Sequence, residues 1–131
     1  MNKFHVIFDT NLLVSALKSE TGSSYSALNM FLSGSLDLFY TREILFEYQS
    51  VIYRPHLEID SFNADKVIED IEQIGIFLTQ NQSDLWLPDE DDRIFYDTAS
   101  YANAYLLTWN LKHYPKEYFI LTPSEFLKLH D

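Results

Sequence analysis

The chain has 131 residues, is 47% hydrophobic, and carries a formal net charge of −11 from nine Lys and Arg against twenty Asp and Glu. That length and apolar content suffice for one domain with a buried core. The absence of cysteine excludes disulfides, thiolate metal sites and cysteine nucleophiles, so a metal site here is built from oxygen ligands. The acidic balance argues against a surface that wraps nucleic acid through a basic footprint.

The four histidines, His5, His56, His113 and His130, lack zinc-ligand spacing. A carboxylate cluster that holds divalent cations inverts the local potential, so an acidic nuclease stays open, and an acidic exterior suits a basic partner. No stretch approaches a membrane span, and Asp9 interrupts the only N-terminal apolar run too early for a secretory signal. No membrane association and a cytoplasmic location are therefore expected.

Phe4 to Phe8, a short apolar run with β-branched and aromatic residues, predicts a strand buried on both faces. Asp9 stops it, and Leu12, Leu13, Ala16 and Leu17 recur at helical spacing. One carboxylate thus stands at the carboxyl end of a strand, where open α/β sheets keep their ligand crevice. Glu20 to Ser26 reads as a loop into a second helix carrying Ala27, Leu28, Phe31 and Leu32.

Leu36 to Tyr40 predicts a second strand, and Thr41 the N-cap of a helix from Arg42 to Arg54, ended by Pro55. His56 to Asn63 reads as polar and irregular. Val67, Ile68, Ile71 and Ile74 predict a helix over Asp65 to Ile74, stopped by Gly75, and then a strand over Ile76 to Thr79. Gln80 to Pro88 reads as loop, and the acidic run Asp89 to Asp97 opens a helix to about Asn103.

Tyr105 to Thr108 and Phe119 to Leu121 complete the strands. Thr122, Pro123, Ser124 and Glu125 form a capping box with proline at the first helical position. Strands alternating with helices on connections too long for hairpins predict an α/β fold, a three-layer α/β/α sandwich around a parallel sheet of four to five strands.

If the first strand is central with the Tyr105 strand beside it, then Asp9, the acidic run and Asn110 meet at one end of the sheet. Glu43 and Glu47 share a helix face, so Glu47 can join them. Oxygen ligands converging without histidine or cysteine describe a Mg²⁺ or Mn²⁺ site suited to metal-assisted phosphodiester hydrolysis. Against this, Asp9 can serve merely as a helix cap, Glu47 as a solvated helix residue, and one or two acids of the run as complements to a helix dipole. Four acids in succession repel one another unless cations or solvent compensate, which favours a ligand role for one.

FDTNLLVSAL at the start, Glu47 within ILFEYQSVI, DEDDRIFYDTA, YLLTWNLKHYP and ILTPSEFLKL resemble, in order and spacing, a PIN domain over about Phe4 to Leu129. The resemblance implies a three-layer nuclease. For small bacterial or archaeal members it often implies a VapC-type ribonuclease toxin of a toxin-antitoxin pair, commonly a homodimer, with RNA as substrate. Asp9 then matches the first metal-binding aspartate and Asn11 the asparagine of the DTN signature. Glu47 matches the glutamate on the helix after the second strand. Asp92 is the third acid by its interval to Thr108, with Asp91 its nearest rival, and Asp97 matches an acidic position found in some members.

By this resemblance Asp9, Asp92 and Glu47 hold Mg²⁺ or Mn²⁺ to activate water, while Asp97 or Asn110 orients the site. Thr108 and Asn110 fall where many members carry threonine and then aspartate. Asn110 offers a carbonyl oxygen but neither charge nor a base, which bears on a second metal more than on the first. Trp109 stands where glycine is common and either shapes substrate access or stacks on a base. Lys112 and His113, just beyond, meet a phosphate or are ordinary loop charge.

Two other readings compete. A degenerate PIN fold would bind protein or RNA without chemistry. A phosphoacceptor receiver domain would want a lysine directly after the last strand, where this chain has Thr122 and Pro123.

Overall fold

In the computed structural model, residues 3–79 and 92–130 are described. Five parallel strands, β1 (Phe4–Phe8), β2 (Leu36–Tyr40), β3 (Ile76–Phe77), β4 (Tyr105–Leu107) and β5 (Ile120–Leu121), form one sheet in the order β3-β2-β1-β4-β5. The helices are α1 (Thr10–Lys18), α2 (Ser23–Leu32), α3 (Arg42–Ile52), α4 (Ser61–Ile74), α5 (Arg93–Ala102) and α6 (Pro123–His130). Val6, Ile7 and Phe8 are all fully buried. Successive strand residues point to opposite faces, so both faces of the sheet are covered, as a three-layer α/β arrangement requires.

The expected strand pairing holds: β1 is central, with Val6 opposite Tyr105 and Phe8 opposite Leu107. From β1 the chain goes on to β2 on one side, and from β4 to β5 on the other. The carboxyl ends of β1 and β4 therefore flank the point where strand order reverses, the place at which open sheets present their crevice. Among the described residues, no helix is long and apolar enough to cross a membrane.

Several boundaries differ from the sequence expectation, each for a local reason. α1 begins at Thr10, because the Leu12 amide bonds back to the Asp9 carbonyl at 3.0 Å. α2 begins at Ser23, inside the stretch expected to be loop. Its first turn is polar in sequence, yet Ser24 is buried. α4 starts four residues before Asp65, since the Asp60 carboxylate caps it by accepting from Phe62 N and Asn63 N. Pro55–Leu57 forms a 3-10 turn in the region read as irregular.

Other signals hold as read. Thr41 caps α3 by accepting from Ile44 N at 3.1 Å. At α6, Glu125 N donates to Thr122 Oγ1 and Thr122 N to Glu125 Oε1, a reciprocal capping box. Gly75 follows α4 with φ of −73°, so it is not there for a left-handed turn. A Cβ at this position would lie 2.5 Å from the Ile71 carbonyl and 3.0 Å from the Tyr40 ring, so close packing demands glycine.

Candidate active site

β1 delivers Asp9 to the crevice with only 4% of its surface exposed. Thr108, directly after β4, holds it in place. The Thr108 hydroxyl accepts from Asn110 N at 3.0 Å and from Asn11 Nδ2 at 3.3 Å. A hydroxyl has two lone pairs and one proton, so with both pairs engaged the proton goes to Asp9 Oδ2, 2.8 Å away. The Tyr114 hydroxyl donates to the same oxygen at 2.9 Å.

Burial pushes the Asp9 carboxyl above its usual value, because desolvation penalises the charged form. The hydrogen bonds from Thr108, Tyr114, the Thr10 backbone and Asn11 oppose this only in part. A desolvated carboxylate of this kind gains most from a cation beside it. The next residue, Thr10, carries a buried hydroxyl that has no hydrogen-bond partner among the described residues. Hard oxygen donors without sulfur or nitrogen fit Mg²⁺ or Mn²⁺.

Asn11 ties the two strand ends together. Its Nδ2 donates to Thr108, and its Oδ1 accepts from Trp109 N at 3.0 Å. Because a backbone N–H can only donate, the orientation of the Asn11 amide is fixed. Beneath the site, the fully buried Tyr48 of α3 donates to the Phe8 carbonyl at 2.6 Å and stacks on Phe95 of α5 with ring centroids 6.3 Å apart. Its burial, and secondarily the Asp9 charge, hold the phenol protonated well beyond its ordinary range.

The remaining predicted residues surround this centre unevenly. Glu47, on α3 just before Tyr48, is half-buried. Asp92 stands at the N-cap of α5 with its Oδ2 3.5 Å from His113 Nδ1, so it lies against the 3-10 turn Leu111–His113 that follows Asn110. Asp97 is buried within α5, Asn110 is half-buried, and Lys112 is exposed. Asp91, with Asp89 and Glu90, lies outside the described residues. Among the described residues, no three acidic or histidine side chains converge as a ready metal-binding group.

Three participants escaped the sequence reading. Tyr114 reaches Asp9 from the position that ends the 3-10 turn Leu111–His113, and no periodic pattern announces that. Tyr48 is one of the buried residues of α3, and nothing in the sequence announces its hydrogen bond to the end of β1. Ser24, from the stretch read as loop, accepts the Trp109 indole N–H at 2.7 Å. Beyond the turn, Lys112, Tyr114 and Lys116 line a shallow groove of about 420 Å³.

Comparison with protein families matches residues 5–112 to the PIN domain. The match covers most of the chain and includes Asp9, Asn11, Glu47, Asp92, Asp97, Thr108 and Asn110, so the chain belongs to the PIN domain family. Members of that family are generally nucleases, hydrolases that typically use divalent metals on a nucleic acid substrate. Comparison with curated proteins found no match. Tyr114 lies beyond the matched residues.

Proposed function

We propose that the protein is a single-domain, cytoplasmic, Mg²⁺- or Mn²⁺-dependent endoribonuclease, the toxin component of a toxin-antitoxin pair. The observation that carries this reading is the desolvated Asp9 carboxylate, held by Thr108 and Tyr114 at the point of strand-order reversal in a PIN domain. Asp9, Glu47 and Asp92, with Asp91 as the alternative to Asp92, are the residues that would hold the ion. When bound, the ion supplies a Lewis acid that lowers the pKa of water and balances charge developing on the phosphate.

The chain's own groups do the rest. Thr108 and Tyr114 fix Oδ2 of Asp9, so the carboxylate presents one orientation to the crevice. Asn11 locks the segments that follow β1 and β4 to each other. Asp97 and Asn110 support the water and the substrate, and Lys112 meets a phosphate. The large acidic excess suits a basic antitoxin, and the active form is a homodimer.

The test is cleavage of a mixed pool of single-stranded and structured RNA with Mn²⁺, with Mg²⁺ and with chelator, alongside Asp9→Asn. Metal-dependent cleavage, abolished in a folded variant, is the expected result. Full activity in Asp9→Asn overturns the assignment. A second reading, a PIN fold that binds protein or RNA without cleaving it, is favoured by the amide at Asn110, where many members have aspartate. Calorimetric titration with Mn²⁺ decides between them, since absence of binding supports the second.

A further inference from the structure

The structure points to a base-stacking subsite at Trp109, and we infer that it binds one unpaired nucleobase of a single-stranded RNA. This rests on the ribonuclease reading above and names the substrate class the site selects. Trp109 follows Thr108 directly, and its backbone N–H is bonded to Asn11. The indole is thus one residue from the hydroxyl that holds Asp9.

Its surroundings separate it from an ordinary surface tryptophan. The indole N–H is the side chain's sole hydrogen-bonding group, and it is committed to the hydroxyl of Ser24, which is 3% exposed. With the backbone and the indole edge both anchored, the ring has lost its rotational freedom before any ligand arrives. Even so, 41% of Trp109 remains exposed. The one polar group of the side chain is thus satisfied inside the protein while much of the residue stays open to solvent.

Such a surface, rigid and apolar beside a phosphodiester-cleaving centre, matches the face of a base. Stacking is indifferent to base identity but requires a base free of its own helix. Base pairs in a duplex keep their faces covered, so the subsite discriminates single strands from duplexes. Lys112, three residues on and exposed, is placed in sequence to meet the adjoining phosphate. Preorganisation by Ser24 means the ordering cost is already met in the free protein.

The experiment measures fluorescence anisotropy of a labelled nine-nucleotide single-stranded RNA and of its duplex, in Ca²⁺ at low ionic strength. The proteins are the unaltered chain, Trp109→Ala and Trp109→Phe. One stacked base contributes about 1–3 kcal/mol, so Trp109→Ala should weaken single-strand binding by about five- to 150-fold. Trp109→Phe should recover most of that, and duplex binding should change little. In Mn²⁺ cleavage assays the loss should fall on KM with kcat unchanged, because a base stacked equally in the ground state and the transition state contributes uniform binding.

Unchanged binding by Trp109→Ala overturns the inference, as does an equal loss on duplex, or no single-strand binding by the unaltered protein. Absence of cleavage with Trp109-dependent binding intact refutes the nuclease reading and leaves the subsite standing.

Discussion

At the scale of single residues, the site is organised around one buried charge. Asp9 has its carboxyl pKa raised by burial, so the folded protein binds that proton more tightly than the unfolded chain does. Folding stability therefore falls as pH rises from the ordinary carboxylate value through the raised one, and the cost persists at neutral pH. Asp9→Asn removes the charge, and the amide oxygen can still accept from Thr108 and Tyr114. Without divalent metal the variant should melt higher than the parent at pH 7, with the gain vanishing on acidification below pH 4. A variant less stable at every pH would mean that the hydrogen-bond geometry outweighs desolvation.

Tyr114 permits a second residue-scale prediction. Tyr114→Phe keeps the ring and removes one donor to Oδ2, so the fold should survive while Asp9 loses half of its hydroxyl support. Partners that orient a metal ligand are typically worth about 10–100-fold in affinity or activity. Cleavage should therefore need correspondingly more Mn²⁺ for half-maximal rate, and an unchanged Mn²⁺ requirement would remove Tyr114 from the site. Asp9, Asn11 and Thr108 were legible because the chain announces them, with an acid after an apolar strand, a DTN run and a threonine ending a second strand. Tyr114 and Ser24 were not, since their contacts join residues 105 and 85 positions apart and depend on a 3-10 turn and a polar first helical turn.

At the scale of elements, one hydrogen bond ties α5 to the chain before β5. The Tyr96 hydroxyl donates to Glu117 Oε2 at 2.6 Å. Burial first, and then this bond, push the phenol pKa to about 12. The unfolded chain releases that proton near pH 10, so the contribution is fully present below pH 10 and is lost as pH rises through about 12. Tyr53, bonded to Asp65, titrates over the same window, so the informative quantity is the difference between the parent and Tyr96→Phe. The parent's excess in melting temperature should shrink between pH 10 and 12, and a constant difference would assign Tyr96 to packing alone.

The same scale shows where patterning succeeds. β1 and β2 fall on their predicted residues because buried parallel strands are continuous apolar runs, and α6 starts where its capping box says. The edge strands are shorter than expected, with β3 only Ile76–Phe77, although Leu78 N still bonds to Tyr40 O at 2.8 Å. Helix starts slipped towards the N-terminus at α1, α2 and α4, where polar Thr10, Ser23 and Ser61 open the helix. Apolar periodicity marks the buried stripe of a helix, whereas its first turn is set by capping and is usually polar.

At the scale of the whole molecule, a net charge of −11 must coexist with a polyanionic substrate. Nonspecific binding to single strands weakens with salt by about 0.7 log units per log unit of salt for each phosphate neutralised by a cationic side chain. Beside the crevice, Lys112 and Lys116 line the adjoining groove, so one or two phosphates are the expected number. Raising NaCl from about 50 to 200 mM should then reduce affinity for single-stranded RNA by only about three- to sevenfold. Lys112→Ala should flatten the dependence further. Proteins that bind through a basic surface lose orders of magnitude over that range. A steep dependence here would place the binding energy on a cationic surface, whereas a shallow one is what the proposed ion at Asp9 and the proposed stacked base at Trp109 require, since monovalent salt screens such contacts little.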